Sequence, residues 1–403
     1  MQDSLYKIFY SNPKEHNATY LERFHSPTSV HLPFLIKQFN HDKAFQAFFQ
    51  YSQDFAMLMQ NIYTEFAQFL SIMDKIPAIV LQQFSLSCLI DEVHSTSLIE
   101  GIHSTHRELK DVLDGNSNSV HFSSIIKKYD LLMSENYPPF HTCHDVRTFY
   151  DEFAHEDIAA DNPNNKLDGL LFRKYDVDVR SASGKIIHRG VMPETKIIDT
   201  LSYALNFLNN ESSPALVRIA VFHYLFAYIH PFYDGNGRTA RFISSVYIAK
   251  HLHPIIALTL SVTIKKKLKH YYSLLKETDA EVNCGDLTPF ICGFMDFISQ
   301  TIHDINTKLK RKILQLQRFR EIFAKIFLGE NINSLLMDLL LQASVFYGRG
   351  LSMDEIMAST GKSRNTIKTK FLSLPVRWIT ANTKKKFYKI DWAAIHSHLH
   401  QNR

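Results

Sequence analysis

The chain has 403 residues, 45% of them hydrophobic and 21% charged, with only 13 Gly and 13 Pro. Such a length makes about two or three domains, and the composition excludes a disordered or collagen-like chain and favours helices over a many-turned β fold. The 45 basic residues against 40 acidic ones give a net charge of +5, too mild over this length to imply nucleic acid unless the charge is clustered.

The N-terminus lacks the basic start and apolar core of a signal peptide, and no uncharged apolar run approaches the roughly 20 residues that span a bilayer. The cysteines Cys88, Cys143, Cys284 and Cys292 form no CxxC. That argues against a disulfide framework or zinc ribbon and fits a reducing compartment. A cytoplasmic protein with no membrane partner is therefore expected.

Residues 1–115 read as an N-terminal helical region. Residues 1 to about 85 are predicted as helix with loops, with an amphipathic pattern from Phe45 to Ile76. A second helix is predicted from about Phe84 to Leu113, ending at Asp114-Gly115. A core domain is expected over 116–328. Its helical pattern from Val120 to Glu156 breaks at Pro138-Pro139, and residues 173–193 read as a short β-hairpin with a turn at Ser181 to Lys185. Ser213-Pro214 reads as an N-cap followed by proline at the first helical position, opening an apolar helix to about Ile229. A polar, Gly-rich loop runs from His230 to Arg238, and helix resumes over Thr239–Ala249. Further helices are predicted across 262–278, 288–304 and 305–328. Gly329 to Asn333 marks a boundary before a small separate domain, 329–403.

The loop His230-Pro-Phe-Tyr-Asp-Gly-Asn-Gly-Arg-Thr-Ala-Arg241 carries the chemistry. Gly235 and Gly237 free the backbone to aim N–H groups inward, and the start of the next helix favours a bound phosphate. Arg238 and Arg241, three apart, share one side of the first turn and match phosphate oxygens. Asp234 is a hard oxygen ligand suited to Mg²⁺, and Asn236 can donate to a phosphate oxygen. His230 is the loop's one group able to take a proton near neutrality. A solvated surface turn is the bland alternative, and a twelve-residue pattern between two helices argues against it.

This loop resembles the signature of Fic proteins, HPFxDGNGRxxR, at every fixed position. The helix Val221–Ile229, the hairpin at 175–193 in the place of the family's target-binding flap, and Gly285-Asp-Leu-Thr-Pro-Phe290 extend the resemblance over about residues 85–305. It implies a mainly α-helical Fic core with a β-hairpin flap, and transfer of AMP from ATP to a Ser, Thr or Tyr hydroxyl of a protein. On that resemblance His230 is the general base and Asp234 holds Mg²⁺. Gly235, Asn236 and Gly237 cradle the phosphates, Arg238 binds the β-phosphate and Arg241 the γ-phosphate. Tyr271 and Tyr272 resemble a Tyr pair near the adenine, with an ordinary core role as the alternative. His188, Arg189, Gly190 and Val191 align loosely with a flap segment over the nucleotide, where a target protein would pair. Self-modification and a homodimer stay open, and so do UMP or phosphocholine as the transferred group.

Upstream, Thr96-Ser-Leu-Ile-Glu-Gly101 resembles the family's inhibitory motif [S/T]xxxE[G/N], on a helix of about 86–112. Thr96 and Glu100 share a helix face, and Gly101 is a C-cap or close-approach site. The resemblance implies that Glu100 pairs with Arg241 and blocks the γ-phosphate within one chain. In some relatives the same Glu promotes removal of AMP.

Leu351 to Ile367 reads as helix, Gly361 turn, helix, with Ser352 capping the first helix and Ser363 starting the second. Ile367, Phe371 and Leu372 are expected inward. A strand pair would flank Lys384, Lys385 and Lys386, which makes a winged helix-turn-helix pattern. Basic residues recur at nine positions between Gly361 and Ile390, with no acidic residue among them. DNA contact through Arg364, Asn365, Lys368 and the three lysines is one expectation, and a protein-binding wing is the other. A DNA-binding regulator with a sensory or vestigial Fic core is thus the competing function. His141-Thr-Cys-His144 reads as a surface turn, His223 as a satisfied core histidine, and Lys308–Arg320 as a solvated helix face.

Overall fold

A computed structural model of the chain describes residues 3–76, 78–113, 126, 129, 131–153, 165–180, 183–326, 331–346, 350–373, 379–382, 387–393 and 397. They fall into two units, residues 1–66 with 88–303, and residues 67–87 with 304–403.

Helix α1 (Leu5–Ser11) starts where the Ser4 hydroxyl accepts from the Lys7 N–H, and α2 (Pro13–Phe24) opens on proline. An antiparallel hairpin follows, β1 (Ser29–Lys37) with β2 (Ala44–Gln50). The sequence places helix and loops here, so this hairpin corrects it. Phe48, Phe49 and Ala47 are fully buried in β2. The Phe48 N–H donates to the Gly285 carbonyl at 3.0 Å, and the Leu287 N–H donates to the Phe48 carbonyl at 2.7 Å. This pairing with a distant segment overrides the local helical spacing.

Helix α3 (Gln53–Met73) therefore begins later than Phe45. The one helix expected from about Phe84 to Leu113 is two, α4 (Ala78–Ile99) and α5 (His106–Leu113), parted where Gly101 turns left-handed at φ +79°. Next come α6 (Cys143–Phe153) and the two-stranded antiparallel hairpin β3 (Asp178–Arg180) with β4 (Ile186–Arg189). Then come α7 (Glu194–Asn209), α8 (Ala215–Ile229) and α9 (Asn236–His251). Helix α8 is apolar on every side and buried almost throughout, and it packs against both α7 and α9. Its N-cap position is held by Pro214 itself, with no side-chain cap, so Ser213 is not the cap the sequence suggests. Short helices α10 (Pro254–Ala257) and α11 (Leu260–Lys266) lead into α12 (Leu268–Asp279). The two helices predicted over 288–328 are one, α13 (Thr288–Ile326). Its start is fixed by buried Asp286, whose carboxylate accepts from the Thr288 N–H at 2.9 Å.

In the second unit α14 (Asn331–Phe346) precedes β5 (Leu351–Ser352), α15 (Met353–Thr360), α16 (Arg364–Ser373), β6 (Ile379–Asn382) and β7 (Phe387–Ile390). The three strands form an antiparallel sheet in the order β5-β7-β6. Ser352 and Glu355 make a capping box at the start of α15, and Gly361 ends that helix at φ +65°. The Ser363 hydroxyl accepts from the Thr366 N–H at the start of α16. Leu351, Met353, Ile356, Ile367 and Ile390 form the apolar interior, and Phe371 stacks on Tyr388 with centroids 4.5 Å apart. Leu372 is 79% exposed, so it does not point inward as expected: the turn of α16 that buries Ile367 leaves position 372 on the opposite face. Lys384, Lys385 and Lys386 lie outside the described residues. Among the described residues no helix is long and apolar enough to cross a membrane.

Candidate active site

Helix α8 ends by turning its backbone left-handed at His230, with φ +52° and ψ 61°. A non-glycine residue holds that conformation only when its surroundings fix it. The fixing group is Arg173, fully buried and passed over in the sequence. Its guanidinium donates to the carbonyls of His230 at 2.8 Å, Val191 at 2.9 Å, Tyr175 at 2.8 Å and Ile229 at 3.3 Å. Past the turn, the Asn236 side-chain amide clamps the Phe232 peptide, accepting from its N–H at 2.9 Å and donating to its carbonyl at 2.8 Å. Gly235 caps α9 at φ +78°, which a side chain would strain. The Tyr150 hydroxyl donates to the Asp234 carbonyl at 3.1 Å, and its ring stacks on Phe232.

The loop opens onto a cavity of about 190 Å³, lined in part by His230, Gly237, Arg241, Glu100, His188 and Tyr272. His230 Nδ1 faces the Ala227 carbonyl at 3.3 Å. A carbonyl only accepts, so Nδ1 carries the proton and Nε2 is the basic nitrogen. Burial is the main reason the imidazole falls to a pKa of about 3, with His188 and Arg173 adding positive charge nearby. The ring is thus neutral at physiological pH and able to accept a proton.

Arg238 is 2% exposed, its Nε has no hydrogen-bond partner, and it makes no ion pair among the described residues. A buried guanidinium left open in this way is a seat for an anion. Arg241, 1% exposed, is engaged instead. It donates through Nη2 to Glu100 Oε1 at 2.6 Å and through Nε to the Thr96 hydroxyl at 3.0 Å, and Nη2 also reaches the Thr96 carbonyl at 3.2 Å. Burial opposes the charge on Arg241, but the Glu100 carboxylate reverses this and its pKa is raised. Glu100 stands at the end of α4, where Gly101 takes φ +79° with open space around its missing Cβ. Gly101 is therefore a C-cap and not a close-approach site. Gly237 is the close-approach site: a Cβ there would collide with Glu100 Oε1.

Eight residues before Glu100, on the same face of α4, lies the fully buried carboxyl of Glu92. It accepts from the Ser261 N–H at 2.8 Å and from the Ser261 hydroxyl at 2.5 Å. Burial, the largest influence, lifts its pKa to about 7 against these bonds and the charge of Arg241. Sequence reasoning missed Glu92, since a glutamate in a helix carries no sign of burial.

The remaining expected site residues are divided. Tyr271 is buried with its hydroxyl 2.8 Å from His223 Nε2, while Tyr272 is 46% exposed at the cavity. His223 also meets the Ser244 hydroxyl at 2.9 Å and is a satisfied core histidine. His188 bridges the Tyr228 carbonyl at 2.7 Å and Asp279 at 3.0 Å. Burial disfavours its charge, but Asp279 and the carbonyl raise its pKa. Arg189 lies on the exposed side of the hairpin, paired with Asp178 at 2.7 Å and stacked over Phe39. Gly190 and Val191 continue β4 past its end. The Gly190 N–H donates to the Val177 carbonyl and the Val191 N–H to the Ile229 carbonyl, both at 3.0 Å. Asp234 accepts from the Gly235 N–H, and among the described residues no three His, Cys, Asp or Glu side chains gather as a metal cage. A single carboxylate still suits Mg²⁺ that a nucleotide's phosphates help to hold. His141 precedes α6, its N–H donating to Asp145 at 2.9 Å, but Cys143 and His144 form the first turn of that helix and Cys143 is buried, so the run is a helix start and not the surface turn expected. In the second unit Arg364 pairs with Asp354 at 2.8 Å, and Asn365 and Lys368 are exposed.

Residues 144–248 match the Fic/DOC family model. The chain is 34% identical over 104 residues to protein adenylyltransferase fic-1 of Caenorhabditis briggsae, covering 25% of this chain and 18% of that protein. It is 32% identical over 100 residues to protein adenylyltransferase Fic of Drosophila grimshawi, covering 24% of this chain and 19% of that one. The chain thus spans about a fifth of the length of these curated relatives. A crystal structure of a Fic family protein from Desulfovibrio desulfuricans G20 superposes with a TM-score of 0.52 at 17% identity, over 85% of this chain and 98% of that one.

Proposed function

We propose that this chain, which has a Fic fold and carries a Fic domain at residues 144–248, is a protein adenylyltransferase held in check by its own Glu100. The observation that carries the reading is a neutral His230 lining the same cavity as Arg241, which Glu100 occupies, with the buried and unpaired Arg238 Nε in the first turn of α9. ATP would enter with its phosphates toward Arg238 and the N-terminus of α9. A target hydroxyl near Nε2 would give its proton to His230 as its oxygen bonds to the α-phosphorus. The bond from that phosphorus to the bridging oxygen breaks, and pyrophosphate leaves with the electron pair. Mg²⁺ held by Asp234 and the phosphates would offset the charge that develops there. Positioning and fixed positive charge supply most of the rate in such transfers.

The pairing of Glu100 with Arg241 supports the restraint. A γ-phosphate would compete for the same guanidinium and meet the carboxylate's negative charge. Target proteins would pair along the hairpin of β3 and β4, whose backbone can serve varied sequences. Incubation with labelled ATP and Mg²⁺ tests the reading. Glu100→Gly should label itself or an added protein, and Glu100→Gly with His230→Ala should lower labelling about a hundredfold or more while still binding ATP. Labelling independent of His230 would overturn it.

A second reading concerns the C-terminal unit. The β5-α15-α16-β6-β7 order supports a winged helix-turn-helix, and α16 exposes Asn365 and Lys368. We propose duplex DNA as its partner, on the basic bias of residues 361–390.

A further inference from the structure

Arg173 is a buried cation whose hydrogen-bond partners are neutral. Its Nη1 and Nη2 bond Tyr175, Val191 and the Met192 sulfur on the hairpin side, and its Nε and Nη2 bond His230 and Ile229 on the loop side. The planar fork thus ties the strand expected to receive the target to the backbone that carries the base. The neighbouring backbone is shaped to admit it. A Cβ at Gly190 would run into Arg173 Nη2, and would lie 3.0 Å from the His230 Cβ and 3.1 Å from the Ile229 carbonyl. Burying a guanidinium without a carboxylate is costly, and burial lowers Arg173 to a pKa of about 10. A core strut alone would not need a charged group, since a neutral side chain could fill the same space.

We infer that Arg173 is a positioning residue for the transfer, which locks His230 into its left-handed backbone and Nδ1–H tautomer and couples that geometry to the hairpin. The inference rests on His230 as the base. Lysine cannot replace the fork, because one ammonium cannot span carbonyls on two segments with fixed planar geometry.

The test uses the full chain with Glu100→Gly, comparing it with added Arg173→Lys, Arg173→Gln or Gly190→Ala. All three additions should lower kcat by roughly tenfold to a hundredfold, and the two Arg173 variants should keep the KM for ATP within about twofold. Nitrogen NMR of the His230 ring should show one Nδ1–H tautomer in the parent and a mixture in the variants. Gly190→Ala leaves Arg173 chemically intact, so it separates fork geometry from loss of charge. Unchanged kcat and an unchanged tautomer in the folded variants would overturn the inference, and so would full rescue by Arg173→Lys. If Glu100→Gly itself transfers no AMP, the adenylyltransferase reading fails, while the tautomer comparison still decides the role of Arg173.

Discussion

Glu100 and Arg241 stand 141 positions apart in the chain and meet through a 2.6 Å ion pair, with the arginine buried and the carboxylate partly exposed. The arginine has further partners in the hydroxyl and carbonyl of Thr96, so the contact belongs to one face of α4 and not to a single flexible side chain.

Replacing Glu100 should therefore act in two grades. Glu100→Gly removes both charge and bulk and should raise transfer by roughly tenfold or more, the factor that about 1.4 kcal/mol represents. Glu100→Gln keeps a hydrogen-bonding group while losing the charge, and should fall between that variant and wild type. Initial rates with labelled ATP over a range of concentrations check this. Equal rates in all three proteins would remove the restraint from the proposal.

Glu92 gives a pH dependence whose sign can be worked out. Its folded pKa of about 7 lies above its ordinary 4.5. The folded state therefore binds the extra proton, and the contribution to stability is complete below about pH 4.5 and is lost as pH rises through about 7. Glu92→Gln mimics the protonated form and carries no such dependence. Thermal melts at pH 5 and pH 8 should show wild type losing roughly a few degrees relative to Glu92→Gln. A constant difference would mean that Glu92 stays ionised in the fold.

If the C-terminal unit grips duplex DNA, affinity measured by anisotropy on the full chain should fall steeply with salt. Lys368→Ala, and replacement of Lys384, Lys385 and Lys386 by Ala, should weaken binding alike for all sequences and flatten the salt slope. Asn365→Ala should instead change sequence preference. No binding at low salt would leave the unit as a protein-interaction module.

The site was legible where its parts are contiguous. His230 through Arg241 lie in one loop, and both the phosphate-binding reading and the family resemblance follow from that run. Glu100 was legible through its motif. Arg173 was not, because its partners are carbonyl groups, which every residue has and no sequence marks. The strand at Phe45–Phe49 was misread as helix because its backbone pairs with residues 285–287, beyond any local window. The helices predicted over 288–304 and 305–328 are one, since no proline or glycine interrupts the 39-residue α13 where the division was placed. Leu372 was placed inward with Ile367 and Phe371, but helical spacing carries it to the opposite face of α16 from Ile367.

The space left by the absent side chain of Gly237 has a further consequence. The Glu100 carboxylate fills it in this chain, at the turn of α9 where a nucleotide's phosphate is proposed to lie. A tethered occupant competes at a fixed local concentration that does not change with the amount of protein. On the proposed function, restraint is then a threshold set by nucleotide supply. The chain would respond to how much ATP surrounds it, and changing how firmly α4 holds its carboxylate would move that threshold without altering the chemistry behind it.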